Sequence, residues 1–259
     1  MAFLMVMGVI IASYLAYKKG ALTVSGTIGA IVVGTIIAIG TGIKGLALLA
    51  TFFITSTFLS FYKKDRKANS VVEKDDQRDG MQVFANGGLA ACASLFYLLD
   101  PSFVWIGAFI GAFAAATSDT WASEVGSLSQ KQPIHIGKWQ AVPRGTSGAV
   151  SSLGMFAAVC GASLIAMVGM FLWWEEGSWG LWMSLAIAGF LGNIADTVVG
   201  ASAQVTYFCK LCQSETEQTS HCGCKTVKVA GVSSVNNDTV NVVCTLSGAI
   251  LGGLAVVLF

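Results

Sequence analysis

The chain has 259 residues, of which 54% are hydrophobic and only 11% charged, and its mean hydropathy is +0.71. That composition excludes an ordinary soluble globular domain and reads as a polytopic membrane protein. A formal net charge of +1 gives no reason to expect a nucleic-acid partner, and the length allows about eight helical spans of roughly 20 residues with polar loops left over.

The expected architecture is therefore all-α, a single transmembrane domain over 1–259. The first apolar segment runs straight into Lys18-Lys19-Gly20 and then into a second apolar segment, so it reads as a retained span, not a cleaved signal peptide. In chain order the predicted spans are 2–17, 22–40, 45–62, 81–99, 102–117, 148–174, 178–196 and 240–258. Lys63 opens a charged stretch, 63–80, predicted to be a solvated loop, and a second polar loop, 205–236, carries a Cys/His cluster. Glycines inside the spans, as in GTIGAIVVG and GAILGGL, suit close helix approach.

Every Lys and Arg except Lys44 falls on one side of these spans. By the positive-inside rule that side is predicted to be cytoplasmic, with both termini on the opposite side. Asp100, Glu175 and Glu176 fall opposite, bordered by Trp173, Trp174, Trp179 and Trp182, which read as an interfacial belt.

Asp-Thr pairs recur at the predicted cytoplasmic boundary in SDT at Ser118, ADT at Ala195 and NDT at Asn237. The first two are each followed by Gly, Ser and a Gln, ending at Gln130 and Gln204. Repeats of this kind often build a site at their interface. Asp119, Asp196 and Asp238, with Glu124, are thus expected at one depth, and hard oxygen ligands suit Mg²⁺. Asp238 could instead cap the last helix. Asp119 and Asp196 are placed at the C-terminal ends of their spans, where the helix dipole disfavours an anion, so a functional role is favoured. Five residues along a helix put Glu124 about 140° around from Asp119; unwinding after the span would let both acids face one metal.

Arg78, Gln82 and Asn86 lead into the fourth span, and PIHIGKWQAVPRGTSGAVSS carries Lys138, Arg144 and Ser147. Arg and Lys beside a Gly-Thr-Ser-Gly turn could hold phosphate oxygens, and VPRGTSGAV is read as opening a helix, where anions bind. Ordinary cytoplasmic loop charge is the alternative. No GxxxxGK[ST] stretch is present, so a P-loop is unsupported.

Cys92, Cys160 and Cys244 lie singly in spans and read as packing residues. Cys209, Cys212, Cys222 and Cys224, with His221 adjacent, fit either a small tetrahedral zinc site or reduced cytosolic thiols. A disulfide is disfavoured on the cytoplasmic side. Neither His135 nor His221 has an evident nucleophile partner.

KKGALTVSGTIGAIVVG, RDGMQVFANGG, SDTWASEVG, VPRGTSGAVSSLG, GNIADTVVGASAQ, HCG and NNDTVNVV, in this order, resemble the integral membrane family of the domain-of-unknown-function 92 type, which contains eukaryotic transmembrane protein 19 and plant phytyl-phosphate kinase. A more distant similarity links Asp119, Ala122 and Gly126, followed by PRGTSG, with phytol and dolichol kinases; Ser118 stands where that pattern has Gly. The resemblance implies CTP-dependent phosphorylation of an isoprenoid monophosphate to its diphosphate. Asp119, Glu124, Arg144 and Asp196 would then be catalytic, and Arg78, Gln82, Asn86, Lys138, Ser147, Asn193, Asn237, Asp238 and Asn241 would contact lipid phosphate or nucleotide. The expected cofactors are Mg²⁺ at Asp119, Asp196 and Asp238 and a structural Zn²⁺ in the Cys cluster. The expected partners are the membrane, the lipid phosphate and CTP, with a homo-oligomer permitted. The competing reading is a transporter or flippase for a phosphorylated lipid or small anion.

Overall fold

A computed structural model describes residues 1–62, 77–175 and 177–259. The basic residues expected within 63–76, most of the predicted loop 63–80, and Glu176 lie outside the described residues. Eight helices are described: α1 Ala2–Lys18, α2 Val24–Gly40, α3 Gly42–Phe61, α4 Gly80–Leu99, α5 Phe103–Gly126, α6 Ser152–Trp173, α7 Trp179–Ser202 and α8 Asn237–Val257. Six of them, α3 to α8, are long and apolar enough to cross a membrane. α1 and α2 are shorter, at 17 residues each, or about 26 Å against a hydrocarbon core of about 30 Å.

Side-chain caps begin most of these helices: Thr23, Asp79, Ser102, Ser151, Ser178 and Asn236 each accept a backbone N–H of the first turn. Each satisfies a donor that the helix leaves open. Two helices outrun their predicted spans. α5, expected to end at 117, continues to Gly126, and α7, expected to end at 196, continues to Ser202. The apolar run marks where lipid ends, but nothing there breaks the backbone. Thr117, Thr120 and Ser123 fold their hydroxyls back onto carbonyls of the preceding turn, and Ser118 is anchored by donating to Ala158 O of α6 at 3.0 Å. In α7, Thr197 and Ser202 do the same. Asp119 and Asp196 are therefore interior helix residues, and the expectation that they sit at helix C-termini is corrected. SDTWASEVG does not unwind.

α5 is the central helix. It packs against α3, α4, α6, α7 and α8, and 72% of its apolar window is buried, against 22% for the peripheral α3. Lipid offers no hydrophobic drive between helices, so small residues and close packing must supply the association. Ala112, Ala114, Ala115 and Ala116 are fully buried around Phe109 and Phe113, whose rings meet edge-on at 5.2 Å. At the α5–α8 crossing Gly107 and Gly111 oppose Gly248 and Gly252. A Cβ on any of the four would overlap a carbonyl oxygen of the facing helix.

The all-α expectation holds for the helical body, while two polar loops fold as small sheets. β1 Ile134–His135, β2 Gln140–Ala141 and β3 Ala149–Val150 form an antiparallel sheet in the order β2-β1-β3. Between α7 and α8, β4 Thr206–Cys209, β5 Ser214–Thr216 and β8 Val227–Ala230 pair in the order β5-β4-β8, beside a hairpin of β6 Ser220–His221 and β7 Cys224–Lys225. Strands of two to four residues are too short for an alternating pattern to declare itself. The expected Trp belt is also divided: Trp179 is exposed, whereas Trp173, Trp174 and Trp182 pack against the core.

Candidate functional site

A cavity of about 580 Å³ opens at one end of the bundle. Its wall comes from the C-terminal turns of α3, α5 and α7, the N-terminal turns of α4, α6 and α8, the β2–β3 turn with β3, and the loop residues Gln204 and Glu217. Of the residues singled out in the sequence, Arg78, Gln82, Asn86, Asp119, Glu124, Arg144, Ser147, Asn193, Asp196, Asn237 and Asn241 line it. Lys138 and Asp238 do not.

Arg78 is held by the chain on both sides. Its backbone N–H donates to Ala21 O, and its carbonyl accepts from Thr23 N–H, each at 3.1 Å. The bare Cα of Gly26 allows α2 this close to that carbonyl, which gives the KKGALTVSG segment a structural purpose. The guanidinium donates to Thr57 Oγ1 at 3.1 Å and lies 5.9 and 5.5 Å from the Phe52 and Phe53 ring centres. Burial pushes its pKa below the usual value, and the nearby Glu124 carboxylate opposes that shift. Glu124 in turn accepts from Ser60 Oγ at 2.9 Å, so α3 and α5 are joined at the cavity wall.

Asp119 and Asp196 enter the cavity from α5 and α7. The SDT and ADT segments are equivalent in geometry: Thr120 and Thr197 both line the cavity and both bond to the carbonyl four residues back. The third pair differs because α8 starts where α5 and α7 end. Asn236, not Asp238, is the cap; it accepts from Thr239 N–H at 3.0 Å. Asp238 lies in the first turn beside Asp79 and outside the cavity wall. The expected convergence of three Asp residues is thereby reduced to two, with Asn237 and Asn241 as the contribution of α8.

PRGTSG also takes a different form from the expected helix start. It is the turn between β2 and β3, with Gly145 and Gly148 at φ 86° and 72°, conformations that favour glycine. Ser151 opens α6 instead, accepting from Gly154 N–H at 3.1 Å, and both residues line the cavity. Arg144 donates to Gln130 O at 3.5 Å. Lys138 is on the exposed β1–β2 turn, held there because the buried His135 Nδ1 accepts from the backbone N–H groups of Gly137 and Lys138. His135 thus has a structural task.

Gln204, the Gln that ends the ADT segment, is the principal site feature without a role assigned from its motif. Its side chain is 6% exposed and lines the cavity, with Oε1 accepting from Ser147 Oγ at 2.5 Å. Its Nε2 is buried without a partner among the described residues. The matching tail of the ADT repeat was the available signal. Ser60 and Glu217 also line the cavity, and no sequence motif marked them.

In the 205–236 loop, Cys209, Cys212, His221 and Cys222 bring their ligand atoms within 4.8 Å of one another. His221 joins this group beside three of the four expected cysteines; the fourth, Cys224, donates to His221 O at 3.1 Å and has its Sγ 3.9 Å from the Cys209 Sγ. The backbone N–H of Cys212, then the His221 side chain, lower the Cys209 thiol to about 6. Of the single cysteines read as packing residues, Cys244 is buried, Cys160 half-buried and Cys92 exposed.

These features define a multi-pass integral membrane protein with a polar, acid- and arginine-lined cavity at one end of its helical bundle. Residues 7–249 match the family described as integral membrane protein DUF92, and the chain belongs to that family. It is 31% identical over 281 residues to Protein PGR of Arabidopsis thaliana, covering 98% of this chain and 96% of that protein. It is 29% identical over 252 residues to membrane protein MJ0933 of Methanocaldococcus jannaschii, covering 97% and 93%. To chloroplastic Protein VTE6 of Arabidopsis thaliana it is 28% identical over 193 residues, covering 71% and 56%. No solved structure matches the chain.

Proposed function

We propose that the protein is a membrane-embedded, CTP-dependent kinase that converts an isoprenoid monophosphate to its diphosphate. The observation that carries the reading is the shared cavity, in which Asp119 and Asp196 on two helices face the same space as Arg78 and Arg144 at one end of an apolar bundle. The motif resemblance to the family of plant phytyl-phosphate kinase supplies the reaction class. An isoprenoid chain would lie along the apolar helices with its phosphate in the cavity. The distribution of Lys and Arg favours the cytoplasmic leaflet for that end.

Phosphoryl transfer needs in-line positioning and electrostatic stabilisation more than covalent chemistry. Arg78 and Arg144 offer planar donors for phosphate oxygens, and Gln82, Asn86, Asn193, Asn237 and Asn241 add uncharged donors around them. The acceptor phosphate is already largely ionised at neutral pH, because its second pKa is about 6, so no dedicated base is required. The donor set fits Mg²⁺, which typically takes one or two carboxylates and leaves room for water and phosphate. Asp119 and Asp196 would hold the ion, and it would supply neutralisation of phosphate charge.

The matched SDT and ADT segments favour a second reading, a transporter or flippase for a phosphorylated lipid or small anion. Full-length protein in detergent, given isoprenyl monophosphates of graded length with CTP or other nucleotides and Mg²⁺, separates the two. The kinase reading expects CDP release that depends on the lipid. Lipid movement across vesicles without nucleotide, and no turnover under any condition, would establish the transporter instead.

A further inference from the structure

The β4–β8 module has little to hold it together. Within 205–236 only Val205, Cys209 and Thr216 are buried, while Val227, Val229 and Val232 are exposed. A sheet this small, without an apolar core, needs a staple.

Two tight turns converge on the required atoms. The loop after β4 closes with Gln213 N–H donating to Cys209 O at 2.9 Å and Gln213 at φ 55°, returning Cys212 toward Cys209. The β6–β7 hairpin turns through Cys222 and Gly223, both with positive φ, at 52° and 74°, as a two-residue hairpin of type I′ requires. That turn sets the Cys222 Sγ 3.3 Å from His221 Nδ1, and the Cys212 Sγ lies 3.4 Å from the same nitrogen. Tetrahedral zinc with three thiolates and an imidazole places sulfur and nitrogen about 3.6 Å apart. The tight Cys-Gly-Cys spacing follows from the I′ turn, which brings Cys222 Sγ to His221 Nδ1 and leaves Cys224 Sγ beside Cys209, bonded to the His221 carbonyl.

We propose that Cys209, Cys212, His221 and Cys222 bind a structural zinc ion, and that this ion fixes the module that carries Glu217 to the cavity wall. The module bears Glu217, between β5 and β6, on that wall. Its two ends are tied together beside α7 and α8 by Val205 N–H to Val235 O and Val232 N–H to Ala203 O, at 2.8 and 2.9 Å, flanking Gln204. Zinc in this position is independent of the reaction performed in the cavity.

The test is metal content of the full-length, thiol-reduced protein in detergent after incubation with Zn²⁺ and gel filtration, repeated with Co²⁺ as a spectroscopic probe. Zinc stoichiometric with the chain is expected, with the visible bands of tetrahedral Co²⁺ and thiolate charge transfer. Cys212→Ser and His221→Ala should lose most of the bound metal, while Cys224→Ser keeps it. Chelation of the wild type should speed proteolysis within 205–236. Reduced wild-type protein that retains no zinc overturns the proposal; metal retained in His221→Ala but lost in Cys224→Ser overturns the ligand assignment.

Discussion

Ser147 and Gln204 join two segments of the cavity wall: the hydroxyl from the β2–β3 turn donates to the amide oxygen of Gln204, two residues past the end of α7, at 2.5 Å. This bond spends the acceptor of Gln204 and leaves its Nε2, buried and without a partner among the described residues, on the wall of the cavity. An unmade buried hydrogen bond costs about 1–3 kcal/mol, so a bound phosphate oxygen would recover that energy. Gln204→Glu keeps an acceptor for Ser147 but replaces the donor with a repelling oxygen. The KM for the lipid phosphate should rise about tenfold or more, equivalent to about 1.4 kcal/mol. A wild-type KM would place the amide outside the ligand's reach.

Arg144 and Lys138 belong to the same sequence loop but not to the same site. Arg144→Ala should raise KM about ten- to a hundredfold, the loss expected for one charge-assisted hydrogen bond of about 1.5–3 kcal/mol. Lys138→Ala, on the exposed turn, should leave kcat and KM within about twofold, since surface changes are typically within about 0.5 kcal/mol. Steady-state kinetics on the pair checks this, and equal losses would contradict the placement of Lys138.

The contrast shows what the sequence could and could not disclose. Eight apolar segments were legible because helices in lipid must be long and apolar, and the site residues were legible as polar groups at one set of helix ends. The ends themselves were not, because hydropathy reports the lipid boundary, whereas the backbone of α5 runs on through Asp119 to Gly126 on local hydroxyl bonds. The rotational phase of α8 likewise decided that Asn237 and Asn241, four residues apart on one face, reach the cavity and the adjacent Asp238 does not. Glu217 and Ser60 carried no pattern, since only tertiary packing brings them to the wall.

Arg78 should be intolerant even of lysine. Lys keeps the charge but loses the planar contact with Phe52 and Phe53. Arg78→Lys should lower kcat/KM and reduce the melting temperature by several degrees, while Arg78→Met should do more damage because Glu124 loses its neighbouring cation. Thermal unfolding in detergent, followed with and without substrate, checks the order.

Gly111 and Gly248 set the distance between α5 and α8. Gly111→Ala would drive a Cβ into the Gly248 carbonyl and should cost about 1–3 kcal/mol, as overpacking does. Gly88→Ala, in the interior of α4 with open space around its Cα, should be neutral or stabilise by up to about 1 kcal/mol. Melting temperatures of the two variants in one detergent test the crossing, and equal values would mean that α5 and α8 are not held at this separation.

The central claim rests on Asp119, the acid that the uninterrupted α5 carries into the cavity. The most direct measurement follows radiolabel from the γ-phosphate of CTP into an isoprenyl diphosphate, for wild-type protein and Asp119→Asn, with Mg²⁺ and again after its chelation. Label should appear in the lipid only for the wild type with Mg²⁺, and Asp119→Asn should remain folded with its melting temperature little changed. Lipid labelled equally by both proteins would contradict the account.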